Sequence, residues 1–394
     1  MRVTGVSLAP TEDVIDALLS PEGWAYASME SVEEGDPGRF HALFGRDSLI
    51  FALQMLQRRP EIAAASLRGL AARQGTSDDP EIDERPGKII HEYRPVAPEW
   101  LVEAGWPSRD GGIRYYGTSD ATSWFLVVLA ATGDAALQGE LSANRDSAAR
   151  WLESALDAGR GFVRCGPREH RGGLTQHGWR DAADLEHDRH GHGIVTERRT
   201  VPPPPLADAD SQAVAVAALR ALGTLEPARA AHWQQRLEPL RAQISATFTP
   251  NVMAIDGDDR QVIGAGSQLG WLLWAGALDE DAAAAAAARL RQPHILTAYG
   301  LRTLSAEHPA FSSSAYHRGG IWPFDNWIGW LGLRAHGEHE AADRVRDGIL
   351  EALALLGRYP ELYAVTPAGA LESIPIANRV QAWTVGAAEA FTNS

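Results

Sequence analysis

Acidic side chains recur beside aromatic ones in this sequence, at places where glycine and proline interrupt the helical pattern. Asp181 follows Trp179 by two residues, and Glu361 lies between Tyr359 and Leu362. A carboxyl surrounded by apolar groups loses hydration, which raises its pKa and lets it hold a proton near neutral pH. One protonated and one ionised carboxyl are the groups that general acid–base hydrolysis requires. Asp181 and Glu361 are therefore candidate functional carboxyls.

Clusters of an aromatic residue with a carboxylate or an arginine suit the binding of a sugar. The C–H face of a pyranose packs on Trp and Tyr rings, whereas its hydroxyl groups need charged or bidentate partners. The chain has 13 Trp against 9 Phe, an unusual excess that favours this interpretation. The clusters lie at residues 43–48, 86–94, 115–122, 178–181, 316–326, 359–363 and 381–383.

Each candidate also has a purely structural interpretation. Asp47 and Asp120 suit the start of a helix, where an acid caps or complements the helix dipole. Glu92 has Arg94 as a nearby ion-pair partner, and His317 suits a buried structural position. The histidines of segment 187–192 invite a metal site, but no spaced carboxylate or cysteine ligands accompany them, so a solvated loop is predicted there.

Apolar residues recur at helical spacing along most of the chain, which predicts a largely helical protein. Short strands are expected only near 252–263 and 361–366. Residues 119 or 120, 208 or 210, and 279 are good N-cap candidates. Helices are expected at about 11–19, 47–59, 60–74, 119–132, 144–158, 209–222, 227–247, 266–276, 279–291, 324–336, 338–356 and 380–391.

Twelve helices in close pairs predict an all-α protein, an (α/α)6 toroid with six inner and six outer helices, formed as one domain over residues 1–394. An open α-solenoid would need a repeated sequence period, and none is visible. Short turns join the two helices of a pair, whereas long Gly- and Pro-rich segments, 75–118, 159–208 and 292–323, join successive pairs. Long loops of this kind are usually functional, so they are expected at one end of the toroid.

The composition excludes several classes of function. The formal charge of −15 disfavours binding to phosphate backbones or anionic lipid. The single cysteine, Cys165, cannot form an intramolecular disulfide. No basic and apolar signal segment opens the sequence and no window is apolar enough to span a bilayer, so a cytoplasmic location is expected.

Through these motifs the sequence resembles the (α/α)6-barrel glycoside hydrolases. This group includes the glucosidase domain of glycogen-debranching enzymes and the mannosylglycerate and glucosylglycerate hydrolases. The motifs occur in the family's order and cover nearly the whole chain. They are 44–47 (FGRD), 86–92 (PGKIIHE), 116–120 (YGTSD), 178–181 (GWRD), 316–319 with 322–323 (YHRG and WP), 360–362 (PEL) and 381–383 (QAW).

The resemblance implies a role for each matching residue. It makes Asp181 the general acid and Glu361 the general base, with Glu372 a rival for the latter role. Arg46 and Asp47 match family positions that bind the non-reducing sugar. The full set of expected substrate-binding residues is Phe44, Arg46, Asp47, His91, Glu92, Tyr116, Asp120, Trp179, Arg180, Tyr316, His317, Trp322, Gln381 and Trp383.

The implied function is that of an inverting α-glycoside hydrolase, first of all an amylo-α-1,6-glucosidase that releases glucose. The alternative substrate is a small α-glucoside such as glucosylglycerate or mannosylglycerate, for which Arg94 and Arg180 could bind an anionic aglycone. A sugar epimerase or isomerase on the same toroid is a further alternative, although such enzymes typically use paired histidines. The last alternative is a sugar-binding or scaffold protein with a degenerate site. No cofactor, metal, nucleic acid or membrane partner is expected.

Overall fold

A computed structural model of the chain describes residues 9–29, 39–166, 173–181, 193–248 and 250–394. The histidine-containing segment 187–192 lies outside the described residues. All twelve predicted helices are present in the described residues, together with two short ones, α4 and α6, that the sequence pattern did not predict. The helices are α1 Glu12–Asp16, α2 Gly45–Gln54, α3 Pro60–Ala71, α4 Glu99–Glu103, α5 Ala121–Ala131, α6 Ala135–Glu140, α7 Ser142–Ala158, α8 Ala209–Leu225, α9 Ala230–Thr247, α10 Gln268–Trp274, α11 Glu280–Leu290, α12 Pro323–Ala335, α13 His339–Leu356 and α14 Ala382–Thr392.

Six of these helices form a closed inner ring. Each packs on the next in the order α2, α5, α8, α10, α12 and α14, and α14 packs back on α2. Their side chains are buried on nearly all sides, as in α5 and α12. A helix that is apolar all round must be surrounded by protein. The ring confirms the predicted (α/α)6 toroid.

The outer helices are amphipathic and each covers one inner helix. The pairs are α3 on α2, α7 on α5, α9 on α8, α11 on α10 and α13 on α12. Helix α13 shows the pattern clearly: Val345, Ile349 and Leu353 face inward, and Gly357 ends the helix in the left-handed conformation. Such burial of one apolar stripe, rather than helix propensity, provides most of the stability of a protein helix.

The sixth outer position differs from the prediction. Helix α1 has only five residues instead of the expected 11–19, because Leu19 leaves the helix to pair with Ala25 in a β-bridge. Arg58 donates hydrogen bonds to Glu12 of α1 and, at 2.6 Å, to Glu389 of α14. Through Arg58 the segment after α2 is joined both to α1 and to the last inner helix.

Two inner helices approach each other closely where both carry glycine. A Cβ atom placed on Gly270 of α10 would lie 2.6 Å from the Cα atom of Gly329 in α12. Real Cβ atoms do not tolerate such a separation from backbone, so any larger residue would force the two helices apart. The glycine pair thus sets the distance between α10 and α12.

The N-termini of all six inner helices lie at one end of the ring, as side-chain contacts between them show. Arg46 of α2 bonds Asp120 before α5, Ser119 bonds Ser211 of α8, and Trp271 of α10 bonds Asp325 of α12. Arg180 joins α8 to α10 by bonding Asp210 and Ser267. Phe324 of α12 stacks on Trp383 of α14, and Gln381 before α14 bonds Asp47 of α2. The long predicted loops, which precede α5, α8 and α12, therefore reach the same end.

Ten short strands, mostly at this end, form four small antiparallel sheets within the described residues. The predicted strand regions 252–263 and 361–366 contain β5, β6 and β9. The other seven strands, of two or three residues each, were not predicted. They are β1 Leu43–Phe44, β2 Glu92–Arg94, β3 Ile113–Tyr115, β4 Ala207–Asp208, β5 Val252–Ile255, β6 Gln261–Ile263, β7 Leu296–Thr297, β8 Gly300–Leu301, β9 Tyr363–Val365 and β10 Leu371–Ser373.

One large hydrophobic cluster contains residues from Ile15 in α1 to Phe391 in α14. A smaller cluster, with Leu101, Ile113, Tyr115 and Leu174, lies above it beside α4. In the part of the chain that the structure describes, no helix has the length and apolar character needed to cross a membrane.

Candidate active site

A cavity of about 350 Å³ opens at the end of the ring where the six inner helices begin. It is lined by most of the residues that the sequence motifs indicated. These are Phe44, Arg46, Asp47, His91, Glu92, Trp179, Asp181, Tyr316, Trp322, Glu361 and Trp383.

Asp181 is held at the cavity by an arginine. Its Oδ2 atom accepts a hydrogen bond from the Nη1 atom of Arg46 at 3.0 Å, and its side chain is 19% exposed. Burial raises the pKa of Asp181 to about 6, and the charge of Arg46 opposes that rise. Asp181 can therefore hold a proton at mildly acidic to neutral pH.

Glu361 lies in the same cavity and is almost completely buried. Its Oε1 atom accepts a hydrogen bond from the hydroxyl of Tyr316, and its Oε2 atom accepts one from the backbone N–H of Asn378 at 3.1 Å. Burial raises the pKa of Glu361 to about 7, while the Tyr316 hydrogen bond lowers it. The rival, Glu372, is exposed on β10 and does not line the cavity.

Arg46 connects the two acids Asp120 and Asp181 at the start of α2. Its Nε atom donates to Asp120 at 2.8 Å, its Nη1 atom donates to Asp181, and its buried Nη2 atom has no partner among the described residues. A buried donor without a partner costs free energy unless a ligand satisfies it. Arg46 thus offers one free N–H group to a ligand hydroxyl.

Asp47 is a buried carboxyl with weak protein partners. Its closest hydrogen bond comes from the Nε2 atom of Gln381 at 3.5 Å. Burial raises its pKa to about 8, with the charge of Arg46 opposing and those of Asp181 and Glu361 adding to the rise. Phe44 occupies the N-cap position of α2, so Asp47 is not the helix cap that the sequence also allowed.

A small sheet places three more residues at the cavity. Strand β1 pairs with β2 so that Phe44 lies opposite Glu92, and the next residue, Gly45, accepts no side chain because a Cβ atom would meet the carbonyl of Ile90. Glu92 is paired with Arg94 and buried. Burial lowers the pKa of His91 well below its ordinary value, so this histidine is neutral.

Aromatic rings form one wall of the cavity. The ring of Trp179 meets that of Trp322 edge to face at 5.4 Å, and Trp383 stacks on Phe324 at 3.8 Å. The indole N–H groups of Trp179 and Trp383 have no partner in the described part of the chain. The wall therefore combines apolar faces with free donors, the combination that sugar rings need.

Five predicted contact residues do not line the cavity. Tyr116 points into the core, where its hydroxyl donates to the carbonyl of Arg73. Arg180 faces away because its guanidinium is engaged by Asp210, Ser267 and the carbonyl of Thr303. For Tyr116 and Arg180 the prediction of direct substrate contact is wrong.

The other three lie one layer behind the cavity. Asp120 holds Arg46, and Gln381 bonds Asp47. His317 stacks on Trp322, with its Nε2 atom 3.9 Å from Asp181. Burial lowers the pKa of His317 well below its ordinary value, so it is neutral and forms no ion pair with Asp181. The structure places these three residues as supports of the cavity wall, not as part of its surface.

Several residues at the mouth of the cavity carried no signal in the sequence. They come from the segment before β1, from α4 and from loops, and most are apolar. They are Arg39, Phe40, Trp100, Leu101, Ala104, Trp106, Leu174 and Ile376. Only Trp106 stood near a motif, because apolar loop residues look the same whether they line a site or cover a core.

The fold and the cavity together are typical of an (α/α)6 glycosidase, because two acids lie in a partly enclosed cavity beside aromatic and charged side chains. The sequence profile of the mannosylglycerate hydrolase MGH1-like glycoside hydrolase domain matches residues 121–361. The chain belongs to this family of glycoside hydrolases.

Solved structures agree on the fold. The GH63 mannosylglycerate hydrolase from Thermus thermophilus in complex with Tris has a TM-score of 0.70 and 17% identity, over 96% of this chain and 98% of that chain. The complex with Tris and D-glycerate has a TM-score of 0.69 and 15% identity, over 97% and 99%. Neutral trehalase Nth1 from Saccharomyces cerevisiae has a TM-score of 0.65 and 14% identity, over 94% and 73%. No curated protein matches the sequence.

Proposed function

We propose that this protein hydrolyses a small α-glycoside, in which one hexose is joined through its anomeric carbon to a small aglycone. The observation that carries the proposal is that Asp181 and Glu361 line one cavity, each with a pKa raised towards neutrality by burial. Arg46 and Asp47 lie at the floor of the same cavity and supply partners for the sugar hydroxyls.

In the proposed reaction Asp181 is the general acid and Glu361 the general base. A water molecule attacks the anomeric carbon while Glu361 takes one of its protons. The bond between the anomeric carbon and the glycosidic oxygen breaks, and Asp181 gives its proton to that oxygen. The sugar leaves with inverted configuration, the aglycone leaves as an alcohol, and exchange with solvent returns the proton from Glu361 to Asp181.

Burial raises the pKa of both carboxyls, to about 7 for Glu361 and about 6 for Asp181, so the shared proton can lie on either of them. The proposed roles need it on Asp181. The salt bridge from Arg46 is what favours ionised Asp181. A glycosidic oxygen that accepts a hydrogen bond from protonated Asp181, and a sugar hydroxyl that engages Arg46, would both favour the productive arrangement.

The size of the cavity favours a small substrate over a glycogen branch. Helix α4 and the residues near Trp106 form part of the lining above the ring, so the site is partly covered. A branch stub needs an open rim for the attached glucan chain. Amylo-α-1,6-glucosidase activity thus becomes the second candidate, and the cytoplasmic location stays a prediction.

A substrate panel tests the proposal. Methyl α-glucoside, methyl α-mannoside, isomaltose, panose, glucosylglycerate, mannosylglycerate and a branched limit dextrin would be compared by kcat/KM. We expect turnover of one or more small glycosides and little release from the dextrin. Proton NMR of the fresh product should show the β-anomer first. A preference for limit dextrin would instead support the debranching function.

Variants test the two roles. Asp181→Asn should reduce kcat most for substrates with poor leaving groups, because an activated aryl group needs little protonation. Glu361→Gln should reduce kcat for both kinds, and azide should restore part of it by attacking from the vacated side. Glu372→Gln is the matched control: as an exposed glutamate outside the cavity it should keep full activity. Loss of activity in Glu372→Gln with an active Glu361→Gln would reverse the assignment.

A further inference from the structure

The outer half of the active-site cavity differs chemically from its floor. The floor carries Arg46, Asp47, Asp181 and Glu361, all near the start of the inner helices or in the loops beside them. Beside the exposed Arg39, the outer half is lined by apolar side chains from segments outside the ring. They are Phe40, Trp100, Leu101, Trp106, Leu174 and Ile376.

These apolar lining residues differ in their exposure to solvent. Leu101 and Leu174 are buried, Trp100 and Trp106 are half-buried, and Ile376 is 47% exposed. Leu101 and Leu174 belong to the small hydrophobic cluster beside α4, against which both tryptophans pack. Four of the six apolar lining residues thus belong to one local unit, whereas Phe40 packs with Phe44 and Ile376 is exposed.

Charge at the site disfavours an anionic aglycone. Arg94 is bound by Glu92 and by the carbonyl of Arg39, and Arg180 is held by Asp210, so neither arginine is available as the sequence had suggested. Apart from Arg46 at the floor, Arg39 is the cation that lines the cavity in the described part of the chain. The cavity lining also contains four acids, which are Asp47, Asp181, Glu361 and Glu92, so acids outnumber cations there.

A second sugar ring also fits the outer half poorly. Aromatic rings can stack on a sugar, but its hydroxyls then need donors and acceptors around the ring edge. Leu101, Leu174 and Ile376 offer none. Burying hydroxyl groups against such side chains costs free energy, whereas burying hydrocarbon gains it.

We propose that the outer half of the cavity is an apolar aglycone subsite, and that the natural substrate carries an uncharged, hydrocarbon-rich aglycone, either a ring or a short alkyl chain. The inference rests on the proposed function, since it concerns the leaving group of the same hydrolysis. The sugar occupies the polar floor, and the released alcohol leaves through the apolar mouth.

Alkyl glycosides of one sugar test this subsite. Methyl, n-hexyl and cyclohexylmethyl α-glucosides have leaving alcohols of similar acidity, so differences in kcat/KM report binding of the aglycone; the α-mannosides would be used if they are the better substrates. We expect kcat/KM at least about tenfold higher for the hexyl and cyclohexylmethyl compounds than for the methyl compound, because each buried methylene contributes about fourfold. The kcat/KM values for glucosylglycerate and isomaltose should be lower than that for the hexyl compound.

Variants of the lining give the control. Trp100→Ala and, at the exposed mouth where folding is not at risk, Ile376→Ser should lower the hexyl-to-methyl ratio of kcat/KM several-fold. Val102→Ala is the matched control on α4, because Val102 is 49% exposed and does not line the cavity. Its ratio should equal that of the wild type.

The outcomes separate this inference from the proposed function. If no α-glycoside in either set is hydrolysed, the proposed function fails. If methyl glycosides are hydrolysed but hexyl and methyl compounds react equally, or glucosylglycerate or isomaltose reacts best, the function stands and the apolar subsite is wrong. An unchanged ratio in Ile376→Ser and Trp100→Ala, with both variants folded, would also overturn it.

Discussion

Asp181 and Glu361 together must hold one proton for the proposed reaction. Below about pH 6 both carboxyls are protonated and no base remains, and above about pH 7 both are ionised and no acid remains. We therefore expect a bell-shaped profile of kcat/KM with its maximum between these values. A plateau that extends to about pH 9 would show that Glu361 or Asp181 has another role.

Tyr316 sets the alkaline side of this profile. Its hydroxyl donates to Glu361 and lowers the pKa of that carboxyl, so Tyr316→Phe should raise it. A hydrogen bond of about 1.4 kcal/mol corresponds to about one pKa unit, and the alkaline limb should move up by about that amount while the maximum falls. The pH dependence of kcat/KM measures both changes.

Tyr116→Phe is the control for this prediction. It removes a tyrosine hydroxyl whose partner is the carbonyl of Arg73, outside the cavity. We expect a loss of about 1 kcal/mol in the free energy of unfolding and no shift in the profile. Equal profiles for Tyr316→Phe and the wild type would remove the support for Glu361 as the base.

We expect Asp47 to lower the stability of the folded protein while it contributes to sugar binding. An acid whose pKa is about 8 in the folded protein and about 4 unfolded destabilises the fold increasingly as pH rises from about 4 to about 8. Asp47→Asn removes this penalty, so Tm should rise, and more at about pH 8 than at about pH 5. Because the variant also loses a carboxyl partner for sugar hydroxyls, kcat/KM should fall at least about tenfold.

The result for Asp47 also distinguishes its two interpretations. A helix-stabilising acid would lose Tm on substitution and keep turnover. A sugar-binding acid would gain Tm and lose turnover. Thermal unfolding at the two pH values and steady-state kinetics decide between them.

The sequence motifs located the site better than they identified its contacting side chains. Trp179 and Asp181 line the cavity whereas Arg180, between them, faces Asp210, since neighbouring residues of an extended segment point in opposite directions. The sequence motif does not distinguish Arg180 from Trp179 and Asp181 as a contact residue. The direction of each side chain depends on contacts with α8 and α10, which no local pattern contains.

The same limit appears for whole elements. Long helices such as α8 and α13 were predictable because each buries a regular apolar surface. The strands β1, β2 and β3 beside the cavity were not, because each has only two or three residues and is formed by pairing with segments distant in the chain. Helix α4 has five residues and lay inside a predicted loop, so its apolar lining residues were missed as well.

The contact between α10 and α12 should be sensitive to the smallest added side chain. Gly270→Ala places a methyl group 2.6 Å from the Cα atom of Gly329, so the helices must separate. We expect a loss of about 1–3 kcal/mol in the free energy of unfolding. Urea unfolding, followed by circular dichroism, measures it.

Gly223→Ala in α8 provides the matched control for Gly270→Ala. A Cβ atom at Gly223 meets no atom within 4 Å, and alanine is the better helix former. This variant should gain a few tenths to about 1 kcal/mol. Similar changes in both variants would show that the close approach of α10 and α12 is not the cause, because helix propensity alone predicts a gain for both.

The whole molecule should unfold as one unit. A closed ring leaves no inner helix with a free apolar side, and one hydrophobic cluster contains residues of α1 and of α14. We expect activity and circular dichroism to disappear at the same urea concentration, with amides of the inner helices exchanging only through global unfolding. Two separated transitions would contradict the predicted single domain.

The contact between α2 and α14 governs how the molecule can assemble. Asp47 and Gln381 meet there although they are 334 residues apart in the chain. The two helices of a pair are joined by short turns and can meet early, whereas bringing such distant segments together is slow. A newly made chain therefore passes through an open arc with two apolar edges, and during that interval it is inactive and prone to aggregate. Chaperones that shield apolar surface would act at this stage, before the last helix completes the ring.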